Sequence, residues 1–159
     1  MKNIHDDVMS SYYGCGLTIP DCLDNCKVMD LGCGTGRDVY LLSQFVGEKG
    51  SVIGIDMTDE QINKAKKYKD FHADKNNYAE SNVNFCRGYI ENIDDALSNE
   101  GENDNLCDVI VSNCVINLSP NKKAVLQQVY KHLKEGGELY FSDVYSSQRI
   151  PQHLQEDKV

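Results

Sequence analysis

A chain of 159 residues is room for one domain and not for two. Its 25 Asp and Glu against 16 Lys and Arg give a formal charge of -9, so it has no basic surface for a nucleic-acid backbone. No apolar run approaches the ~18 residues that a membrane span needs. The opening Met1–Asp7 is acidic and lacks an apolar signal region, so the cytoplasm is the expected location. The 7 cysteines are then expected as free thiols, or as metal or metalloid ligands, rather than as disulfides.

In chain order, a lead-in over residues 1–27 carries Pro20 and the pair Cys22 and Cys26. Val28–Leu31 reads as a strand that runs into a loop with Gly32, Gly34 and Gly36. Val39, Leu42 and Val46 recur at helical spacing, and Gly47 closes that helix. Ser51–Asp56 is the second strand. Thr58, with Gln61 three residues on, predicts a capping box for a helix that turns Ile62, Ala65 and Tyr68 inward. Val83–Cys86 is a third strand, followed by a short helix around Tyr89 to Leu97 and an acidic solvated loop over residues 94–105. Asp108–Asn113 is a fourth strand. Ser119 reads as an N-cap with Pro120 at the first helical position, and that helix is expected to bury Leu126, Val129, Tyr130 and Leu133. Gly136 and Gly137 end it before a fifth strand over Glu138–Val144. Strand and helix alternate throughout, which predicts an α/β fold with a doubly wound, mostly parallel sheet. The core is expected over residues 28–159. His5, His72, His132 and His153 are scattered and expected at the surface.

A glycine loop between a strand and a helix lets a ligand approach the backbone closely. Asp56 ends the second strand twenty positions after Gly36, where an acid can accept from both ribose hydroxyls of an adenosine. A dinucleotide fingerprint would place its third glycine at position 37, which is Arg37. The loop is instead Gly-x-Gly-x-Gly preceded by Asp30. A carboxylate there suits a ligand with a cationic amine better than a pyrophosphate, and S-adenosylmethionine has both an amine and a sulfonium.

Six segments extend this reading: Tyr12–Gly16, Asp30–Asp38, Gly54–Thr58, Gly88–Glu91, Ser112–Leu118 and Gly136–Tyr145. In order and spacing they resemble the arsenite methyltransferases, over about Ile4 to Pro151. The resemblance implies a seven-stranded class I methyltransferase fold, S-adenosylmethionine as donor and trivalent arsenic as acceptor. It implies that Gly32, Gly34, Gly36 and Arg37 line the methionine and ribose side, and that Asp56 and Met57 hold ribose and adenine. Ile90 and Glu91 would flank the adenine, and Asn113 would lie under the cofactor. Cys15 and Cys114 match two arsenic-binding thiols. The expected partners are arsenite or methylated arsenicals and a thiol reductant such as glutathione or thioredoxin, with no nucleic acid and no membrane.

Thiolates are natural ligands for soft trivalent arsenic. Cys114 follows the fourth strand directly, on the edge where α/β sheets gather ligands. Arsenic brings its own lone pair, so transfer needs orientation and no general base. Cys86 and Cys107 read instead as small buried hydrophobes, Cys33 as a small side chain in the loop, and Cys22 with Cys26 as spaced for one helical face. Two other functions are compatible with the residues: methylation of an organic small molecule, or a non-catalytic cofactor or metalloid-binding fragment. Only five strands are visible, so the last two of the fold are expected to be missing and the fifth to be an exposed edge.

Overall fold

The computed structural model describes residues 3–10, 16, 18–101, 106–148 and 151. The strands are β1 (Lys27–Leu31), β2 (Ser51–Asp56), β3 (Val83–Arg87), β4 (Cys107–Asn113) and β5 (Leu133–Ser142). They form one sheet ordered β3-β2-β1-β4-β5, and every pairing is parallel. Parallel neighbours need crossovers, here supplied by α2 (Arg37–Val46), α3 (Asp59–Lys66) with α4 (Lys69–Asn76), α5 (Ile93–Asn99) and α6 (Lys122–His132). A one-turn helix, α1 (Asp6–Met9), precedes the sheet.

Both faces of the central strands β2, β1 and β4 are covered, so these are apolar at consecutive positions rather than alternating, whereas β5 at the edge has no buried residue. Val28, Val52, Val109 and Val111 pack with α1, α2 and α3 on one face. Met29, Leu31, Ile53, Ile55 and Ile110 pack with α5 and α6 on the other. The chain winds outward from β1 through β2 to β3, then returns to the other side of β1 for β4. That reversal puts a crevice at the carboxyl ends of β1 and β4, where such folds bind ligands. No helix among the described residues is long and apolar enough to cross a membrane.

Several local expectations need correction. Thr58 is the N-cap of α3 but makes no side-chain cap bond. Its N–H, which a capping box would give to Gln61, donates to Asp56 Oδ1 at 2.9 Å. The predicted single helix is split into α3 and α4. The helix expected around Tyr89 to Leu97 is α5, running from Ile93 to Asn99 into the stretch read as loop. The last helix begins at Lys122, capped by Asn121, whose side chain accepts from the Ala124 N–H. Ser119 instead closes a 3-10 turn over Ile116–Leu118. That rotation buries Val125, Val129 and His132 and leaves Leu126 and Tyr130 exposed. β5 starts at Leu133, with a register shift opposite Cys107–Val109 that absorbs the Gly136-Gly137 pair.

His72 and His132 are buried, not superficial, and His153 lies outside the described residues. The thiol expectation also divides. Cys22, Cys26, Cys33, Cys86 and Cys107 are in no disulfide, but Cys114 is disulfide-bonded. Cys22 and Cys26 are not on a helix, and the described residues contain no group of three or more metal-ligating side chains.

Candidate functional site

β1 ends where Gly32 turns at φ 79°, a left-handed conformation that costs an L residue about 1–2 kcal/mol. Gly34 and Gly36 follow at φ 53° and 85°. The loop is pinned to the second strand, because Gly34 N–H donates to Asp56 Oδ2 at 2.9 Å. With Thr58 N–H on the other oxygen, the Asp56 carboxylate is fixed by backbone donors on both sides while its remaining lone pairs face the crevice.

The crevice is a cleft of about 550 Å³. Its lining comes from four strand ends: Gly32 after β1, Asp56 to Thr58 after β2, Gly88 to Glu91 after β3, and Val115 with Leu118 to Pro120 after β4. Met57, Tyr89, Ile90, Val115 and Leu118 make apolar walls, and Asp56 and Glu91 supply acceptors. Glu91 is steadied by Ser119, whose hydroxyl donates to Glu91 Oε1 at 2.5 Å and accepts from Asn121 N–H.

Gly32 forms the floor. A Cβ there would lie 2.3 Å from one Val115 methyl carbon and 2.6 Å from the other. Val115 is β-branched and cannot rotate out of the way cheaply. Gly32→Ala is therefore expected to cost roughly 2–5 kcal/mol, combining left-handed strain with overpacking. A urea melt reads this directly, and an unchanged midpoint would remove Gly32 from the floor.

The predicted positions fall into two groups. Gly32, Asp56, Met57, Ile90 and Glu91 line the cleft together. Asp30, Gly34, Gly36, Arg37 and Asn113 do not line it. Arg37 Nη1 is 3.4 Å from Asp38 Oδ1, with both side chains almost wholly buried. Asn113 Nδ2 donates to Asp38 Oδ2 at 3.2 Å and to the Gly16 carbonyl at 2.8 Å. Asp30 is fully enclosed at the end of β1. Burial raises its pKa well above the usual carboxylate range, and the nearby Asp38 and Asp56 add to that. Burial also raises Asp38, against the opposing bond from Asn113 and the charge of Arg37. The result is a cluster of enclosed carboxyls at the end of β1 and the start of α2, in which burial disfavours the charged form.

Cys114 directly follows β4 at φ 58°, half-buried, and its N–H donates to the Ser142 carbonyl at 2.7 Å. It sits one residue before the cleft wall at Val115. Cys15 lies outside the described residues. Sequence reasoning missed Thr58, Gly88, Tyr89, Val115, Leu118, Ser119 and Pro120 as lining, and Asp38 as the partner of Asn113. Tyr89 and Val115 were within reach, since each adjoins a singled-out residue. Ser119 was not, because its partner Glu91 is 28 positions away.

Comparison with known proteins adds three observations. Residues 23–159 match the family model for a methyltransferase domain. The chain is 53% identical over 160 residues to the human protein named arsenite methyltransferase, and 50% identical over 159 residues to the Aquipseudomonas alcaligenes protein of the same name. All of this chain is covered in both, but only 41% and 44% of those relatives, so it spans less than half their length. The crystal structure of an arsenic (III) S-adenosylmethionine methyltransferase from Chlamydomonas reinhardtii superposes with a TM-score of 0.90 at 43% identity. That match covers 97% of this chain and 50% of the other. The sheet order and flanking helices are thus those of the class I methyltransferase fold.

Proposed function

Because this chain belongs to the methyltransferase-domain family, we propose that its cleft binds S-adenosylmethionine and that Cys15 and Cys114 present trivalent arsenic for methylation. The observation that carries the reading is the placement of Cys114 at the end of β4, beside a cleft whose glycine loop is pinned by Asp56. The residues present fit the cofactor. Met57, Tyr89, Ile90 and Leu118 offer flat apolar area for an adenine, and Asp56 offers acceptors for ribose hydroxyls. Glu91, held by Ser119, can accept from an exocyclic amine. Asp30 and Asp38 stand beside the glycine loop, where a cationic methionine end would offset the cost of burying their charge.

When bound, S-adenosylmethionine supplies an electrophilic methyl group. The protein's part is to position the acceptor. Two thiolates fix the arsenic atom, leave its lone pair free, and hold it near the crevice, so most of the acceleration comes from proximity and orientation. Gly32, Gly34, Gly36 and Arg37 shape and back the loop. Asn113 ties β4 to the lead-in at Gly16. In this reading residues 1–27 bring one thiol to the core formed by residues 28–159.

A disulfide-bonded Cys114 cannot ligate arsenic until a reductant opens it. Two equivalents of thiol leave as a disulfide, and two protein thiols result. In this reading a reductant such as glutathione or thioredoxin is the partner that opens the site.

The test supplies labelled S-adenosylmethionine, arsenite and excess thiol to this chain and to a chimera that adds the human relative's remaining sequence. Labelled methylarsenicals from the chimera are expected. Cofactor binding by calorimetry with no labelled arsenical from either protein would overturn the assignment of the acceptor.

A further inference from the structure

The glycine loop is held from a second side that the cofactor reading does not use. Thr35, between Gly34 and Gly36, is buried, and its hydroxyl donates to the Val8 carbonyl of α1 at 3.1 Å. α1 has only 4 residues, too few to be stable alone, so its placement depends on contacts. Val8 is fully buried in the core and Ile4 nearly so. His5 caps the helix through Nδ1, which accepts from Asp7 N–H. The His5 ring stacks on Tyr68 with centroids 4.0 Å apart and meets Phe71 edge-on. Asp7 accepts a hydrogen bond from the Tyr68 hydroxyl.

His72 anchors the far side. Its Nδ1 lies 2.7 Å from the Tyr68 carbonyl, and its Nε2 is 3.3 Å from the His5 backbone N–H. Both contacts are satisfied together only by a neutral ring with its proton on Nδ1. The same ring stacks on Tyr40 of α2 at 3.5 Å. Tyr40 N–H in turn donates to the Gly36 carbonyl. The contacts therefore close a ring: glycine loop, α2, His72, His5, α1, Val8 and back to Thr35.

We propose that α1 is a strap that positions the glycine loop for the cofactor, with Thr35 as the positioning residue and His72 as the anchor on the opposite side. This rests on the cofactor reading above. A ligand that orders the loop must then order the strap, and the strap must aid the ligand by the same factor, because coupling between sites is reciprocal. The chain between Ser10 and Gly16 starts from this strap and ends at the Asn113 bond, so the device also sets one end of the segment that contains Cys15.

Amide hydrogen exchange with and without S-adenosylhomocysteine tests this on the intact chain. The probes are the N–H groups of Val8, Met9 and Ser10, which bond within the strap. The Asn77 N–H, at the end of α4, is the control. The ligand is expected to slow exchange at the three strap amides by ~5-fold or more, the lower end of ordinary coupling, and to leave Asn77 little changed. In Thr35→Val, which keeps the shape but loses the hydroxyl, the ligand binds about 10-fold more weakly and the strap response vanishes. Thr35→Ser restores both, which separates positioning from a general loss of stability. A wild-type chain that binds the ligand with no strap response overturns the inference, as does a Thr35→Val chain that retains the response. A wild-type chain that binds no ligand overturns the cofactor reading itself. If Thr35→Val does not fold, the wild-type response and Thr35→Ser alone decide.

Discussion

Cys114→Ser is expected to lower arsenic methylation by on the order of 100-fold or more, with S-adenosylmethionine binding changed by less than about twofold. Serine is nearly isosteric, and neither residue is β-branched. The left-handed backbone at position 114 and its N–H bond to Ser142 can therefore persist. What disappears is the soft donor. A hydroxyl stays protonated at neutral pH and is a hard ligand that trivalent arsenic prefers far less than a thiolate. With one thiol lost, the acceptor is no longer fixed next to the cleft, and the advantage of a preassembled geometry goes with it. The assay compares initial rates in the chimera with excess thiol, and calorimetry follows the cofactor in parallel. Undiminished turnover in the serine variant would exclude Cys114 as an arsenic ligand and favour an organic acceptor. A companion expectation applies to the wild type: without a reductant, the disulfide at Cys114 keeps the rate low.

Asp56→Ala is expected to weaken S-adenosylmethionine by roughly two to three orders of magnitude. The carboxylate has two kinds of work. It would receive the ribose hydroxyls, and hydrogen bonds to a charged group are worth about 1.5–3 kcal/mol each. It also accepts from Gly34 and Thr58 N–H at 2.9 Å apiece, so alanine leaves both donors without that partner and frees the glycine loop. Asp56→Asn retains one carbonyl oxygen and should fall between the two. Calorimetry with S-adenosylmethionine measures the change, and unaltered affinity in the alanine variant would remove Asp56 from the ribose site. The same variant should also speed amide exchange at Gly34, since that N–H loses its acceptor.

Much of the architecture was legible because it rests on local signals. β1 to β4 are short apolar runs punctuated by glycine, and each begins and ends within one residue of its expected limits. The glycine loop and Asp56 were legible because spacing alone brings them together at adjacent strand ends. What failed depended on distant partners. α6 carries Val125, Leu126, Val129 and Tyr130, an apolar stripe wide enough to face the sheet in two ways. The register at Asn121 chose Val125 and Val129. His72 was read as solvated because no other histidine stands near it in sequence, yet its partner His5 lies 67 positions away. The capping box at Thr58 lost to Asp56, two residues back, which took the N–H first. Within the site, the place of Cys114 at the carboxyl end of β4 was legible from the strand order, since Cys107 stands at the opposite end, but its role as an arsenic ligand came from the resemblance to arsenite methyltransferases.

Three thiols of the core are closed to solution in the folded chain. Cys86 and Cys107 are fully enclosed, and Cys33 nearly so, with its Sγ filling the space beside Gly54. Burial, reinforced by Asp30 and Asp56, also raises the Cys33 pKa well above the ordinary thiol range, so it is a poor nucleophile as well as a hidden one. In the unfolded chain these three thiols would be open to arsenite. A ligand that finds more sites in the unfolded state than in the native one lowers stability by mass action. Arsenite in excess is thus expected to draw on these three thiols whenever the chain opens, and the closed core withholds them while it stays folded.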